Sequence, residues 1–269
     1  MPYQFLVTHR EGPVEYVMLN RPEVRNAFND ELIAELTAWC DATAADPAVR
    51  VAVIGGAGKV FCAGADLSWM SQMVAYTHEQ NLQDANAAAR MFAALDHLPV
   101  PLIGRVHGAA IGGGAGLAAV CDVVVADEGT VFAFSEVKFG IIPAMISPYV
   151  LGKIGASATR HLFVTGARFS AAHAKEIGLV HASVPADELD ARVAVYTREL
   201  LSCGREAIGV VKALLRDVAH RPAADAVGIT AEAIAQRRVS AEGQEGMRAF
   251  LEKRKASWNV APDPDRESR

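Results

Sequence analysis

Short apolar runs alternate with helical patterns up to about residue 186, and beyond that point the apolar runs stop. Strands separated by helices must run in the same direction, so such a chain builds a largely parallel sheet covered by helices. Residues 5–9 and 14–19 are β-prone, and Asn20-Arg-Pro22 ends the second run. A helix is expected to start at Asn29, a good N-cap, with Asp30 and Glu31 in the first turn where acids favour the dipole. Leu32, Ile33, Leu36, Trp39 and Cys40 recur at helical spacing, and Asp46-Pro47 stops the pattern. The run Val51-Ala-Val-Ile54 has no polar face and reads as a strand buried on both sides. Further strands are expected at 102–106, 123–126 and 131–134, and a helix over 78–97 bracketed by Pro99 and Pro101. The rest reads as helices over 187–202, 205–218, 223–238 and 240–255. The expected division is an α/β core over 1–186, a helical carboxy-terminal region over 187–260, and a Pro- and charge-rich tail over 261–269.

Composition narrows the function classes. A chain of 269 residues with 51% hydrophobic and 21% charged residues can fill a sizeable core. With 26 Lys plus Arg against 31 Asp plus Glu, the net charge is −5, which argues against a nucleic-acid binder. A local cationic patch for an anionic ligand is compatible with that balance. Cys40, Cys62, Cys121 and Cys203 form no C-x-x-C pair, so neither a disulfide framework nor a zinc site is expected. Reduced thiols and the lack of a basic-then-apolar leader point to a cytoplasmic protein. The longest uncharged stretch, 108–121, is Gly-rich and shorter than the ~20 residues a membrane span needs.

Several motifs fail on inspection. Gly55-Gly-Ala-Gly-Lys59 is no phosphate loop, because Val53 and Val60 stand where a glycine and a Ser or Thr belong. Gly114-Ala-Gly-Leu-Ala-Ala119 fits a loose dinucleotide fingerprint but lies far from the first strand. The eight histidines form no H-E-x-x-H, and there is no G-x-S-x-G elbow. Two glycine-rich segments remain: Phe61-Cys-Ala-Gly-Ala-Asp-Leu67, and His107-Gly-Ala-Ala-Ile-Gly-Gly-Gly-Ala-Gly-Leu117, which runs into an Ala-rich helix. Each glycine inside a helix costs ~1 kcal/mol against alanine, so backbone here is expected to approach something closely. Taken alone, either segment reads better as tight helix-to-strand packing.

In this order the two segments resemble the crotonase, or enoyl-CoA hydratase/isomerase, superfamily. Leu19-Asn-Arg-Pro22 with Arg25-Asn-Ala27, Ser135-Glu-Val137 with Gly140-Ile-Ile-Pro143, Phe169 to Val180, and Glu242 to Arg254 resemble its other landmarks, so the likeness covers nearly the whole chain. It implies a crotonase-like spiral of ββα units followed by helices. It implies an acyl-CoA substrate, with coenzyme A part of that substrate rather than a cofactor, and no metal. It also implies assembly into a homotrimer or a dimer of trimers.

By motif position, the backbone N–H groups of Ala65 and Gly113 would form an oxyanion hole for the thioester oxygen, and Glu136 would be the catalytic carboxylate. Arg25, Ala27, Ala63, Asp66, Leu67 and Gly112 map onto substrate-binding positions. Phe250 and Lys253 map onto residues that reach a CoA site from the last helices, often those of a neighbouring subunit. Family hydratases commonly carry a second glutamate where this chain has Gly116. Three readings follow: hydration with Glu136 alone, isomerisation of the double bond with one glutamate, or acyl-CoA binding without catalysis. Ala144-Met-Ile-Ser-Pro148 replaces the usual glycine-rich stretch. That variant resembles a bacterial branch acting on branched substrates such as methylglutaconyl-CoA in leucine breakdown.

Overall fold

The computed structural model describes residues 3–259. Strands β1 (Leu6–Glu11) and β2 (Val14–Leu19) form a hairpin that turns at Gly12, whose φ of 56° suits glycine. Helix α1 (Asp30–Ala45) starts where Asn29 accepts a 2.9 Å hydrogen bond from the Leu32 N–H. Next come β3 (Val51–Gly56), α2 (Leu67–Met73), α3 (His78–Asp96), β4 (Leu102–Val106), β5 (Ala109–Ile111) and α4 (Gly113–Val120). They are followed by β6 (Val123–Asp127), β7 (Val131–Ala133), α5 (Ser147–Thr165), β8 (Arg168–Ser170), α6 (Ala171–Glu176) and β9 (Ala182–Val184). Among the described residues only helices follow β9: α7 (Leu189–Leu201), α8 (Arg205–Val218), α9 (Ala223–Val239) and α10 (Ala241–Leu251). The expected tail over 261–269 lies outside the described residues.

Six strands form the larger sheet in the order β1-β2-β3-β4-β6-β9, all parallel except β1 against β2. A smaller sheet pairs β5 parallel with β7 and β7 antiparallel with β8. The units β4-β5-α4 and β6-β7-α5 therefore repeat one pattern: a strand in each sheet, then a helix. That repetition is the spiral of ββα units.

Strand β3 shows why the core has two parts. Side chains alternate across a strand, so Ala52 and Ile54 join the cluster that contains Leu36, Phe92 and Leu117. Val51 and Val53 join the opposite one with Ile103, Val125, Leu189 and Val193, under α7. All six residues of β3 are buried, as the unbroken apolar run implies. The later helices are pinned to this core by cations. Arg205 donates to the Val49 carbonyl at 2.8 Å, Arg50 to that of Leu201 at 2.9 Å, and Lys212 to Asp122 at 2.6 Å. No helix among the described residues is long and apolar enough to cross a membrane.

Candidate active site

Three distant stretches of chain are laced together by their backbones. The Ala63 N–H donates to the Arg25 carbonyl at 3.0 Å, that of Phe28 to Gly64 at 2.7 Å, and that of Asp66 to Phe28 at 2.8 Å. On the other side, the Cys62 N–H donates to Ala109 at 3.1 Å and the Ile111 N–H to Cys62 at 3.0 Å. Gly112 joins a fourth stretch, donating to the Ala133 carbonyl at 2.8 Å just before Glu136. These bonds bring Arg25, Ala27, Ala63, Ala65, Asp66, Gly112, Gly113 and Glu136 into one neighbourhood.

The glycines of this neighbourhood are there for close approach. A Cβ on Gly114 would collide with the Cys62 carbonyl, and one on Gly64 would lie 3.0 Å from the Ile111 carbonyl. Gly112 has φ 54° and ψ −120°, a conformation an L side chain rarely adopts, and a Cβ there would lie 3.2 Å from Glu136 Oε1. A Cβ at 112 would press on the carboxylate and make it give by a few tenths of an ångström.

Ala65 and Gly113 are among the backbone donors left free here. Among the described residues neither the Ala65 nor the Gly113 N–H has an acceptor. Gly113 is the first residue of α4, where the N–H has no partner within the helix and the dipole adds to its pull on negative charge. Ala65 is exposed, between the Phe28 bonds on either side of it.

Glu136 is half-buried at the start of a single 3-10 turn, Glu136–Phe139. Its Oε2 atom is shielded from solvent and has no hydrogen-bond partner. Burial pushes its pKa up, with a smaller opposing contribution from its own N–H. A carboxyl held this way favours its protonated form more than a solvated one does.

Other residues mapped from sequence serve differently. The Asp66 side chain is an internal strut: its Oδ2 accepts from Arg21 Nη2 at 2.8 Å and its Oδ1 caps α2 through the Ser68 N–H at 2.8 Å. Burial pushes the Asp66 pKa up, but the Ser68 N–H and the Arg21 guanidinium outweigh it and leave the carboxyl below its usual range. Arg21 also donates to the Ala27 carbonyl, so one guanidinium ties both sides of the cradle. Arg25 is exposed in a left-handed conformation with φ 56°, and Leu67 is 83% exposed. Phe250 and Lys253 are exposed at the end of α10, which packs on α8 and α9, so the chain does not itself bring them to Glu136.

Sequence reasoning did not place Phe28, Phe92, Ile146 and Tyr149 at this site. The rings of Phe28 and Phe92, and of Phe92 and Tyr149, are each 6.3 Å apart. A Cβ on Gly113 would meet Phe28 at 3.0 Å, and one on Gly116 would collide with Ile146 and meet Phe92 at 3.2 Å. The one sequence signal for this contact is the uncapped glycine at 116, which only a close neighbour explains.

The spiral of ββα units and the helical end define the crotonase fold, and the half-buried Glu136 carboxyl lies at the start of α4 in its cradle. The model of the enoyl-CoA hydratase/isomerase family matches residues 9–261, and this chain belongs to that family. It is 31% identical over 260 residues to crotonyl-CoA hydratase of Syntrophomonas wolfei, covering 96% of this chain and 99% of that one. A crystal structure of an enoyl-CoA hydratase from Shewanella pealeana is 38% identical with a TM-score of 0.92, over 95% of this chain and 96% of that one. An enoyl-CoA hydratase from Mycobacterium smegmatis is 31% identical with a TM-score of 0.89, over 95% and 99%. The protein is an enzyme of the hydratase/isomerase type.

Proposed function

We propose that this enzyme adds water to, or removes it from, a 2-enoyl-CoA thioester, using a single carboxylate and two backbone donors. The observation that carries the reading is the Glu136 carboxyl, half-buried with one oxygen unpartnered, beside the free N–H at the start of α4. The thioester oxygen would accept hydrogen bonds from the Ala65 and Gly113 N–H groups. As the oxygen of a water bonds to the β-carbon, Glu136 takes the proton that water loses, and the double-bond electrons move to the thioester oxygen as an enolate. The enolate then collapses, the α-carbon takes the proton back from Glu136, and the carboxylate is restored. One carboxylate serving both transfers puts OH and H on the same face.

A second reading rests on Gly116, where no acid stands and Ile146 fills the adjacent space. A site with one carboxylate suffices to take a proton from an allylic carbon and return it two carbons away, which is isomerisation. Incubation with a panel of enoyl-CoAs that includes 3-methylglutaconyl-CoA, read by mass, separates the two. A gain of one water supports the hydratase; unchanged mass with a moved double bond supports the isomerase. Unaltered substrates throughout would leave only acyl-CoA binding.

Arg25, Ala27, Ala63, Leu67 and Gly112 are proposed to contact substrate from the cradle, with Asp66 holding that cradle in shape. Phe250 and Lys253 are proposed to act on a neighbouring subunit of a trimer or a dimer of trimers. Support for such an assembly is the apolar surface on the last helices, where Val239, Phe250 and Leu251 are each more than three-quarters exposed. A cytoplasmic location is proposed on four free cysteines, three of them buried.

A further inference from the structure

Gly112 and Gly116 lie one turn apart at the α4 start, where the Gly116 N–H donates to the Gly112 carbonyl at 3.0 Å. Above Gly112 stands the Glu136 carboxylate, 3.2 Å from where a Cβ would be. Above Gly116 stands Ile146, so close that a Cβ would collide with its Cγ2. The ring of Phe92 closes the same spot, 3.2 Å from that Cβ position. Ile146 and Phe92 are each 2% exposed, and Phe28 is 5% exposed. One helical turn beyond the carboxylate the interior is therefore solid, not hollow.

We propose that Ile146 is a specificity-determining residue that ends the acyl pocket at the level of Glu136 and restricts the enzyme to short acyl chains. This rests on the acyl-thioester reading of the site. A glycine at 116 removes the helix's own side chain, and Ile146 takes the vacated volume with Phe92 and Tyr149 behind it. A chain that must pass Glu136 to bury its tail meets this plug. Short chains whose reacting carbons lie at the carboxylate do not.

The test compares kcat/KM for four-, six- and ten-carbon 2-enoyl-CoAs in the wild-type enzyme, Ile146→Val and Ile146→Ala. The wild type is expected to prefer the four-carbon over the ten-carbon thioester by about tenfold or more, the scale on which a pocket discriminates methylene groups. Ile146→Ala is expected to shift that ratio at least tenfold toward ten carbons, and Ile146→Val to shift it less in the same direction. Binding of non-reacting decanoyl-CoA, measured by calorimetry, should tighten in parallel. Should Ile146→Ala fail to fold, the direction seen with Ile146→Val decides. Equal wild-type rates on all chain lengths, or a ratio unmoved in folded variants, overturn the plug while leaving the acyl-thioester reading intact. A wild-type protein that neither transforms any enoyl-CoA nor binds decanoyl-CoA or a four-carbon acyl-CoA overturns both.

Discussion

Glu136 carries opposite consequences for rate and stability. Glu136→Gln keeps the shape but removes the proton carrier, so turnover should fall by about 10²–10⁴, while binding of a saturated acyl-CoA changes little. The same substitution should stabilise the fold at neutral pH. Burial raises the folded pKa above the unfolded value of about 4.3, so folding is unhindered while both forms are protonated and loses stability as pH rises through the folded value. The melting temperature of Glu136→Gln should therefore exceed the wild type's by a margin that grows from pH 4 to pH 7, and a margin flat with pH would contradict it. Gly113→Pro removes one N–H at a helix position that tolerates proline, provided Phe28 gives way. A folded Gly113→Pro enzyme should lose roughly 2.7–4 kcal/mol of transition-state stabilisation, about 10²–10³ in kcat. Gly116→Glu, by contrast, finds no room beside Ile146, and the overpacking should cost about 1–3 kcal/mol or more without adding a working acid.

At the scale of elements, the site hangs on the strut between Arg21 and Asp66. Both side chains are about nine-tenths buried, and the pair joins the turn after β2 to the start of α2. Asp66→Ala leaves the guanidinium buried and unpaired, which should destabilise by about 3–5 kcal/mol, measurable by denaturant unfolding. Little of this was legible beforehand. The parallel strands announced themselves because Val51 to Ile54 lack any polar face, and the helix starts because Asn29 caps one. The two glycine segments stood out because glycine is costly where nothing demands it. By contrast, β5, β8 and β9 have three residues each and, unlike the equally short β7, no run of bulky apolar side chains to mark them. Helix α5 is interrupted by Gly155 at φ 73°, which breaks its pattern. The ion pair of Arg21 with Asp66 and the contact of Ile146 with Gly116 join residues distant in sequence. No local signal carries them, and only the folded chain puts them side by side.

For the whole molecule, the exposed apolar surface of the last helices is the feature to explain. Val239, Phe250 and Leu251 lie on α9 and α10, while cations fix the region to the core from beneath through Arg50, Arg205 and Lys212. Light scattering should return about three or six times the 28.6 kDa chain mass, and a monomer at working concentration would remove the case for assembly. In an assembled enzyme, Leu251→Glu together with Val239→Glu should lower the mass toward one chain. If Phe250 and Lys253 serve a neighbouring site, that dissociation should also raise KM for the CoA ester.

The meeting of Ile146 with the bare helix at Gly116 also bears on how this enzyme can change over generations. Any side chain gained at 116 strikes Ile146, and any trimming of Ile146 before that leaves a hole in the interior. Each single step is damaging, whereas the paired exchange restores contact, so the two positions should drift together in related lineages. A double-mutant cycle on Gly116→Ala and Ile146→Ala should show this as a coupling of about 0.5–3 kcal/mol, with the second change rescuing the first.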